Sequence, residues 1–589
     1  MTYCYLFEAR SIQHYLFRTG KLRDVVAASE RLDRLIDSSE HSVLYQVLQA
    51  TQLRHDLLTE HPDPDPQVRF FRCKGGAFYA YGDVLEDLHT LRSCWTLMFA
   101  QLFPGLEYCD AIAQGDSLQV AKARALAQMA CQRNVPDKIL PSASAVCARA
   151  QRTGALAVAL DQHPRAEAEA LAHTVPALID LSTQGHRYAF RHWKLNDEKG
   201  SLHERFTPDD LPHPIRFPVD LEDNSVFFAV PEGAEPSKDI ALIHLDGNGL
   251  GQLMMALDDS LTQANASSLE YASAFRAFSE QLTEATIAAA KQATAELVEV
   301  ILAESPKLYN GKLHVPMRPL VLGGDDLTLF CRADLALPYS EAFCRAFKKA
   351  SEASLADTLQ LLNKNTDIKP YLTASGGVLV QKATHPFTQS HELVESLCKQ
   401  AKQLTKQIDA NVGPAALSFI QVSNPVTEPL EGLVKRYLQH ELTQGTLTTS
   451  LRAYLVEPRG HYPSLSALRE LHWTMNQENT PMTIGKWRHV LTLLAANDWS
   501  EAEDLIIRDL SLCKSKAARN QLVSAFQSLA EQPCGEQPEH KVWHWQSKLA
   551  GWATPLSDLL VLSKIDRLSA AEGASQAQAD GQSTRTEAL

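Results

Sequence analysis

Between Asp239 and Val422 the apolar positions switch between a period of two and a period near 3.6, as expected where strands alternate with amphipathic helices. IALIHL (Ile240 to Leu245) predicts a buried strand, followed by the glycine-rich turn DGNGLG and a short helix. Tyr271 to Glu304 is alanine-rich and helical, with Phe275, Phe278, Leu282, Leu297 and Ile301 on its apolar side. RPLVL and LTLFC flank Gly323-Gly324-Asp325-Asp326 and predict a hairpin. A helix over about Ser340 to Leu362, the strand YLTASGGVLV, a helix from His391 to Asp409 and the strand ALSFIQV complete a β-α-β-β-α-β order. That order predicts an α+β fold with a ferredoxin-like, split βαβ sheet.

The amino-terminal third repeats the pattern, so two such sheets are expected in one chain. YCYLFE is a strand ending in Glu8, SIQHYLF is helical, and FFRCKGGAFYAY gives a strand, a Gly-Gly turn and a strand. Gly75-Gly76-Ala77-Phe78 is read as the counterpart of Gly323-Gly324-Asp325-Asp326, so only the second copy keeps the hairpin acids. The expected organisation is a first, inactive unit over 1–133, an intervening small domain and proline- and acid-rich linker over 134–237, and a second, active unit over 238–425. A helical C-terminal domain over 426–568 and a small, polar, disordered tail over 569–589 follow.

With 56 Lys+Arg against 70 Asp+Glu the chain carries a net charge of −14. Its mean field repels phosphate backbones, so no strong intrinsic nucleic-acid binding is expected and nucleotides need a local basic pocket. No segment reaches the roughly 18 unbroken apolar residues of a membrane span, and MTYCYLFEARSIQHYLF has no export signature, so the expected location is cytoplasmic, away from membranes. The 11 cysteines include no C-x-x-C pair, which argues against a zinc ribbon or a disulfide framework. His55-Asp56 reads as a surface helix pair, and the histidines of HRYAFRHW and LPHPIRF read as linker or packing residues.

Chemistry concentrates on three carboxylates. Asp246 ends one strand and Asp325 with Asp326 sits at a hairpin tip, and in a split βαβ sheet these two central strands are neighbours. Hard divalent cations take oxygen ligands and leave positions for substrate phosphates. Two such ions, Mg2+ or Mn2+, would lower the pKa of an attacking 3′-hydroxyl and neutralise charge at an α-phosphate. Gly323 and Gly324 permit a tight turn, and Gly247, Asn248, Gly249 and Gly251 offer backbone amides at a helix start, where a triphosphate would bind. Lys399, Lys402 and Lys406 share one helical face as a local basic stripe.

The segments LIHLDGNGLGQLM, LVLGGDDLTLF, TASGGVLVQKATHPFTQSHELVESLCKQAK and LSFIQV resemble the second palm domain of the CRISPR polymerase family, the large subunit of type III effector complexes. YLFEARSIQHYLFRTGKLRDVVAASERL and CKGGAFYAYGD resemble that family's inactive first palm. The resemblance implies a metal-dependent nucleotidyl cyclase that converts ATP into a cyclic oligoadenylate messenger in prokaryotic antiviral defence. It gives Asp246, Asp325 and Asp326 as metal ligands, Ser375 near the nucleotide and Lys402 facing the triphosphate. The implied partners are CRISPR-type or other defence proteins and an RNA trigger. The family's HD nuclease is not expected here, because the first palm begins at residue 3. Two alternatives are a non-catalytic palm scaffold and a GGDEF-like synthase of cyclic dinucleotides, the latter disfavoured by two linked palms and the second Asp of GGDD.

Overall fold

Tyr5 and Phe7 lie on one face of the first strand and Cys4 and Leu6 on the other, and all four are buried, so this strand has a core on both sides. The computed structural model describes residues 1–58, 61–134, 143–161, 177–192, 201–218, 221, 239–303, 306, 308–362, 369, 371–423, 428–442, 445–530, 541–547 and 551–566. In the first unit, β1 (Thr2–Arg10), α1 (Ile12–Phe17) and α2 (Leu22–Asp33) are followed by β2 (Arg69–Lys74), β3 (Ala77–Gly82), α3 (Leu85–Leu102), β4 (Glu107–Gly115) and α4 (Leu118–Gln132). The sheet runs β2-β3-β1-β4 and is antiparallel throughout, the ferredoxin-like order.

The second unit repeats this order. It comprises β5 (Asp239–Asn248), α5 (Leu250–Gln263), α6 (Ser268–Leu302), β6 (Met317–Gly323), β7 (Asp326–Arg332), α7 (Ala336–Ser354), β8 (Thr373–Lys382), α8 (Phe387–Ile408), β9 (Ala416–Gln421) and β10 (Tyr454–Leu455). Its sheet runs β6-β7-β5-β8 and then adds β9 and β10 at the far edge. Both units also turn from strand to helix in the same way. Ser11 (φ 52°) precedes α1 and Gly249 (φ 84°) precedes α5, each in the left-handed region.

The two units pack reciprocally. α2 of the first lies against β6 of the second, and α6 of the second lies against β2 of the first. Arg205 ties the first contact, reaching Asp33 at 2.5 Å and the Leu322 carbonyl at 2.7 Å. Arg276 on α6 ties the other, donating to the carbonyls of Asp56 at 2.6 Å and Leu57 at 2.5 Å. Lys122 on α4 reaches Asp258 of α5, and Phe17 of α1 meets Phe387 edge-on and His391 at a tilt, both on α8. Matched elements therefore meet across an approximate two-fold axis, and the apolar side holding Cys4 and Leu6 is continuous with the second unit's core.

Several expectations change. β5 continues through Asn248, so Gly247 and Asn248 are strand residues paired with Ala374 and Thr373, and DGNGLG is not an open loop. Of the two hairpin glycines only Gly324 takes a positive φ, 62°. His55-Asp56 is not a surface helix pair: His55 is buried, bridging Val68, and Asp56 accepts a 2.7 Å bond from the Phe70 amide. The C-terminal region has the expected helices and also a small four-stranded sheet built from strands of three or four residues, too short to show an alternating pattern. In the intervening region Arg187 makes a buried ion pair with Asp24 of α2, which docks part of that segment on the first unit. The tail 569–589 lies outside the described residues, as do 193–200 and 222–238 of the intervening segment. Among the described residues no helix is long and apolar enough to cross a membrane.

Candidate functional site

Strand register brings the acids together. Asp246 on β5 stands opposite Asp326 on β7 and opposite Ser375 on β8. Opposed residues of an antiparallel pair project to the same face, so Asp246, Asp326 and Ser375 share the face covered by α8. Asp325 sits in the turn next to them and packs against Gly247, where an added Cβ would lie 2.5 Å from its carboxylate. A bare backbone at Gly247 is what allows the two segments to approach.

Each acid is held differently. Asp246 accepts a 2.5 Å bond from Lys402 Nζ, which also reaches the Gly247 carbonyl at 2.8 Å. Asp326 Oδ2 accepts a 3.1 Å bond from Gln13 Nε2, a side chain of the first unit. Its Oδ1 is buried without a hydrogen-bond partner, and His244 Nδ1 lies 3.4 Å from it while serving the Thr328 hydroxyl at 3.0 Å. Burial, with the charges of Asp246 and Asp326, pushes the Asp325 carboxyl up to about 7. Burial also raises Asp326, against the opposing pull of His244. Burial works against the Lys402 charge, but Asp246 outweighs it and the ammonium is held more firmly protonated than usual.

Of the three lysines on α8 only Lys402 turns inward, whereas Lys399 pairs with Glu395 at 3.4 Å and Lys406 is exposed. Ser375 is fully buried and accepts bonds from Asn248 Nδ2 at 2.8 Å and the Ala416 amide at 3.1 Å. Ser375 and Asn248 thus form the floor beneath the acids. Gly251, one residue into α5, faces open space.

The oxygen-only donor set and the orphaned Asp326 Oδ1 suit a hard divalent cation. Among the described residues, however, no three acidic, His or Cys side chains form a group that could hold a metal ion, and Lys402 and Gln13 bond two of the carboxylates. One consequence is measurable. With its folded pKa near 7 against the ordinary 3.8, Asp325 binds a proton more readily in the fold, so its contribution to stability declines as pH rises from about 4 through 7. Added Mg2+ or Mn2+ should therefore raise the melting temperature more at pH 8 than at pH 6, and Asp325→Asn should shrink that difference. An equal shift at both pH values would count against cation binding here.

Beside Asp325 a cavity of about 120 Å³ opens between the units, lined by Arg72, Lys74 and Lys122 from the first and by Leu250, Met254 and Phe278 from the second. Register also corrects the expected equivalence. Glu8 stands opposite Ala77, as Asp246 stands opposite Asp326, and the two-residue turns are Gly75-Gly76 and Gly324-Asp325. Ala77 therefore matches Asp326 and Gly76 matches Asp325, whereas Phe78 is in the core. At the first unit's matching position Arg133 bonds Glu8 at 2.6 Å, as Lys402 bonds Asp246. Sequence reasoning missed Gln13, His244, Arg72 and Lys122. His244 had a signal, a lone polar residue in IALIHL two before Asp246, whereas Gln13 and Lys122 act through contacts between units and Arg72 through the cavity between them.

Residues 239–409 match the family described as Cas10/Cmr2, second palm domain. Among solved structures, Csm1 in T.onnurineus aligns at 12% identity, covering 96% of this chain and 70% of that one, with a TM-score of 0.43. A Csm1-Csm4 cassette in complex with cA4 aligns at 12% identity over 74% of this chain and 58% of that one, TM-score 0.38, and a cassette in complex with AMPPNP at 13% over 68% and 53%, TM-score 0.36. This chain thus spans little more than half the length of two of those chains. No curated protein matches it.

Proposed function

We propose, from the premise that residues 239–409 are a second palm of the Cas10/Cmr2 type, that this chain is a nucleotidyl cyclase joining ATP into a cyclic oligoadenylate. The observation that carries the proposal is the register that sets Asp246 opposite Asp326, with Asp325 in the adjoining turn and Asp326 Oδ1 without a hydrogen-bond partner, beside a cation-lined cavity between the two units. In the reaction a ribose 3′-hydroxyl attacks the α-phosphate of ATP; the new O–P bond forms as the bond to pyrophosphate breaks. Asp246, Asp325 and Asp326 would hold two divalent cations, which when bound lower the hydroxyl pKa and neutralise charge on the phosphates.

The chain's own residues do the positioning. Lys402, half-buried beside Asp246, supplies a fixed positive charge for the triphosphate once that carboxylate is otherwise occupied. The amino terminus of α5 presents free amides to the same anion. Arg72, Lys74 and Lys122 face the cavity from the first palm and suit the phosphates of an acceptor nucleotide. Gln13 orients Asp326 across the interface, so the second palm's acid set is completed by the first palm. As a type III-like large subunit, the chain would take protein partners and an RNA trigger.

Lys402→Ala should weaken apparent ATP affinity about tenfold while lowering the saturated rate less, because a cation on unreacting phosphates serves ground and transition states alike. An unchanged apparent affinity in steady-state assays would remove Lys402 from the phosphate site.

A further inference from the structure

A second charged cavity, of about 230 Å³, opens beyond β8 at the same sheet edge as the acids. Its walls come from α7, the amino-terminal end of β8, the segment Val412 to Ala415 before β9, and the segment after β10. In a chain of net charge −14, four of its lining residues are cations, Arg345, Lys348, Lys369 and Arg459, against one carboxylate, Glu457. Three of the four are paired with carboxylates, so the positive charge open to a ligand is that of Arg459, and of Lys348 once Glu457 is displaced. Tyr371 adds an aromatic ring, with Lys348 Nζ 5.3 Å from its centre.

The cations are held in place. Lys369 Nζ bonds Asp409 at 2.5 Å and the Val412 carbonyl at 3.0 Å. Arg345 pairs with Glu296 at 3.1 Å and Lys348 with Glu457 at 2.8 Å. The Glu457 side chain is 56% exposed, so solvent screens its pair with Lys348 and the pair is weak. A phosphate, with more charge and more acceptor oxygens, displaces such a carboxylate. The wall is also wired to the acid strand: Thr373 Oγ1 accepts from Asn248 Nδ2 at 3.0 Å and donates to the Gly413 carbonyl at 2.5 Å.

We infer that this cavity binds the phosphate of a nucleotide or short oligonucleotide, with Lys348 and Arg459 meeting the phosphate and Tyr371 stacking on a base. The ligand is either a chain reaching over from the acid edge or a separate mononucleotide. Binding here does not require turnover at the acids, so it stands or falls apart from the cyclase proposal.

The test is calorimetric titration of AMP and of pApA into the full chain with EDTA present, so that cation-dependent binding at the acids is absent. Lys348→Ala with Arg459→Ala should weaken binding tenfold or more and flatten its salt dependence, and Arg459→Glu alone, an exposed change, should act in the same direction. Asp325→Asn with Asp326→Asn should leave the affinity unchanged. Tighter binding of pApA than of AMP supports a chain extending from the acids, and equal binding supports a separate mononucleotide. No binding by the unaltered chain, equal affinity in the cavity variants, or loss of binding in the acid variant would overturn the inference.

Discussion

Asp325→Ala and Asp326→Ala should each cut nucleotide turnover by at least 100- to 1,000-fold, about the loss seen when one charge-stabilising group is removed from a site. The double variant should show no measurable conversion. Neither change should harm the fold. Asp325 is in a turn, and both carboxyls are raised by burial and by neighbouring negative charge, so removing one relieves repulsion in the cation-free protein. Melting temperatures equal to or above the unaltered protein's, with native circular dichroism, are the expected controls. Full ATP conversion by the double variant would end the cyclase assignment.

Phe78→Asp should unfold the first unit, whereas Ala77→Asp should be tolerated far better. Phe78 is fully buried, stacks on Phe7 at 5.5 Å and meets Trp95 edge-on at 5.2 Å. Losing such a ring costs about 3–5 kcal/mol, before the added cost of an unpaired buried carboxylate. That is a large share of a typical domain's stability. Ala77 lies at the hairpin beside Glu8, on the face where Arg72 and Arg133 already supply positive charge. Neither variant should create a second catalytic site, because the first unit has Ala9, Arg10, Ser11 and Gln13 where the second has the glycine-rich DGNGLG turn. Thermal unfolding measures the contrast; equal melting temperatures for the two variants would refute the register assigned to this hairpin.

That register marks the limit of what the sequence carried. The period-two and period-3.6 runs gave both sheets and their repetition, because each strand is buried on at least one face and its pattern is forced by that burial. The matching of GGAF to GGDD by motif was off by one residue. Motif letters align turns, whereas the side chain's face is set by which residue stands opposite Glu8 or Asp246. The convergence of Asp246 with Asp325-Asp326 was legible because both flank central strands. Spacing alone did not separate the inward turn of Lys402 from the exposure of Lys399 and Lys406, since the three share one helical face; only the family resemblance singled out Lys402. Gln13 was invisible for a different reason: its partner Asp326 is in the other unit, and no local pattern encodes a contact across an interface.

If the two units together form one working site, activity belongs to the single chain. Linked modules face each other at an effective concentration in the millimolar range, far above any assay concentration. The decisive measurement is the initial rate of labelled ATP conversion per molecule of full-length chain, with Mg2+ and total cellular RNA present, from micromolar to low nanomolar protein. The expected result is release of pyrophosphate with formation of cyclic oligoadenylate at a rate per molecule that stays constant on dilution and vanishes in the Asp325→Ala, Asp326→Ala double variant. Absence of conversion at every concentration, or a rate per molecule that collapses on dilution, would contradict it.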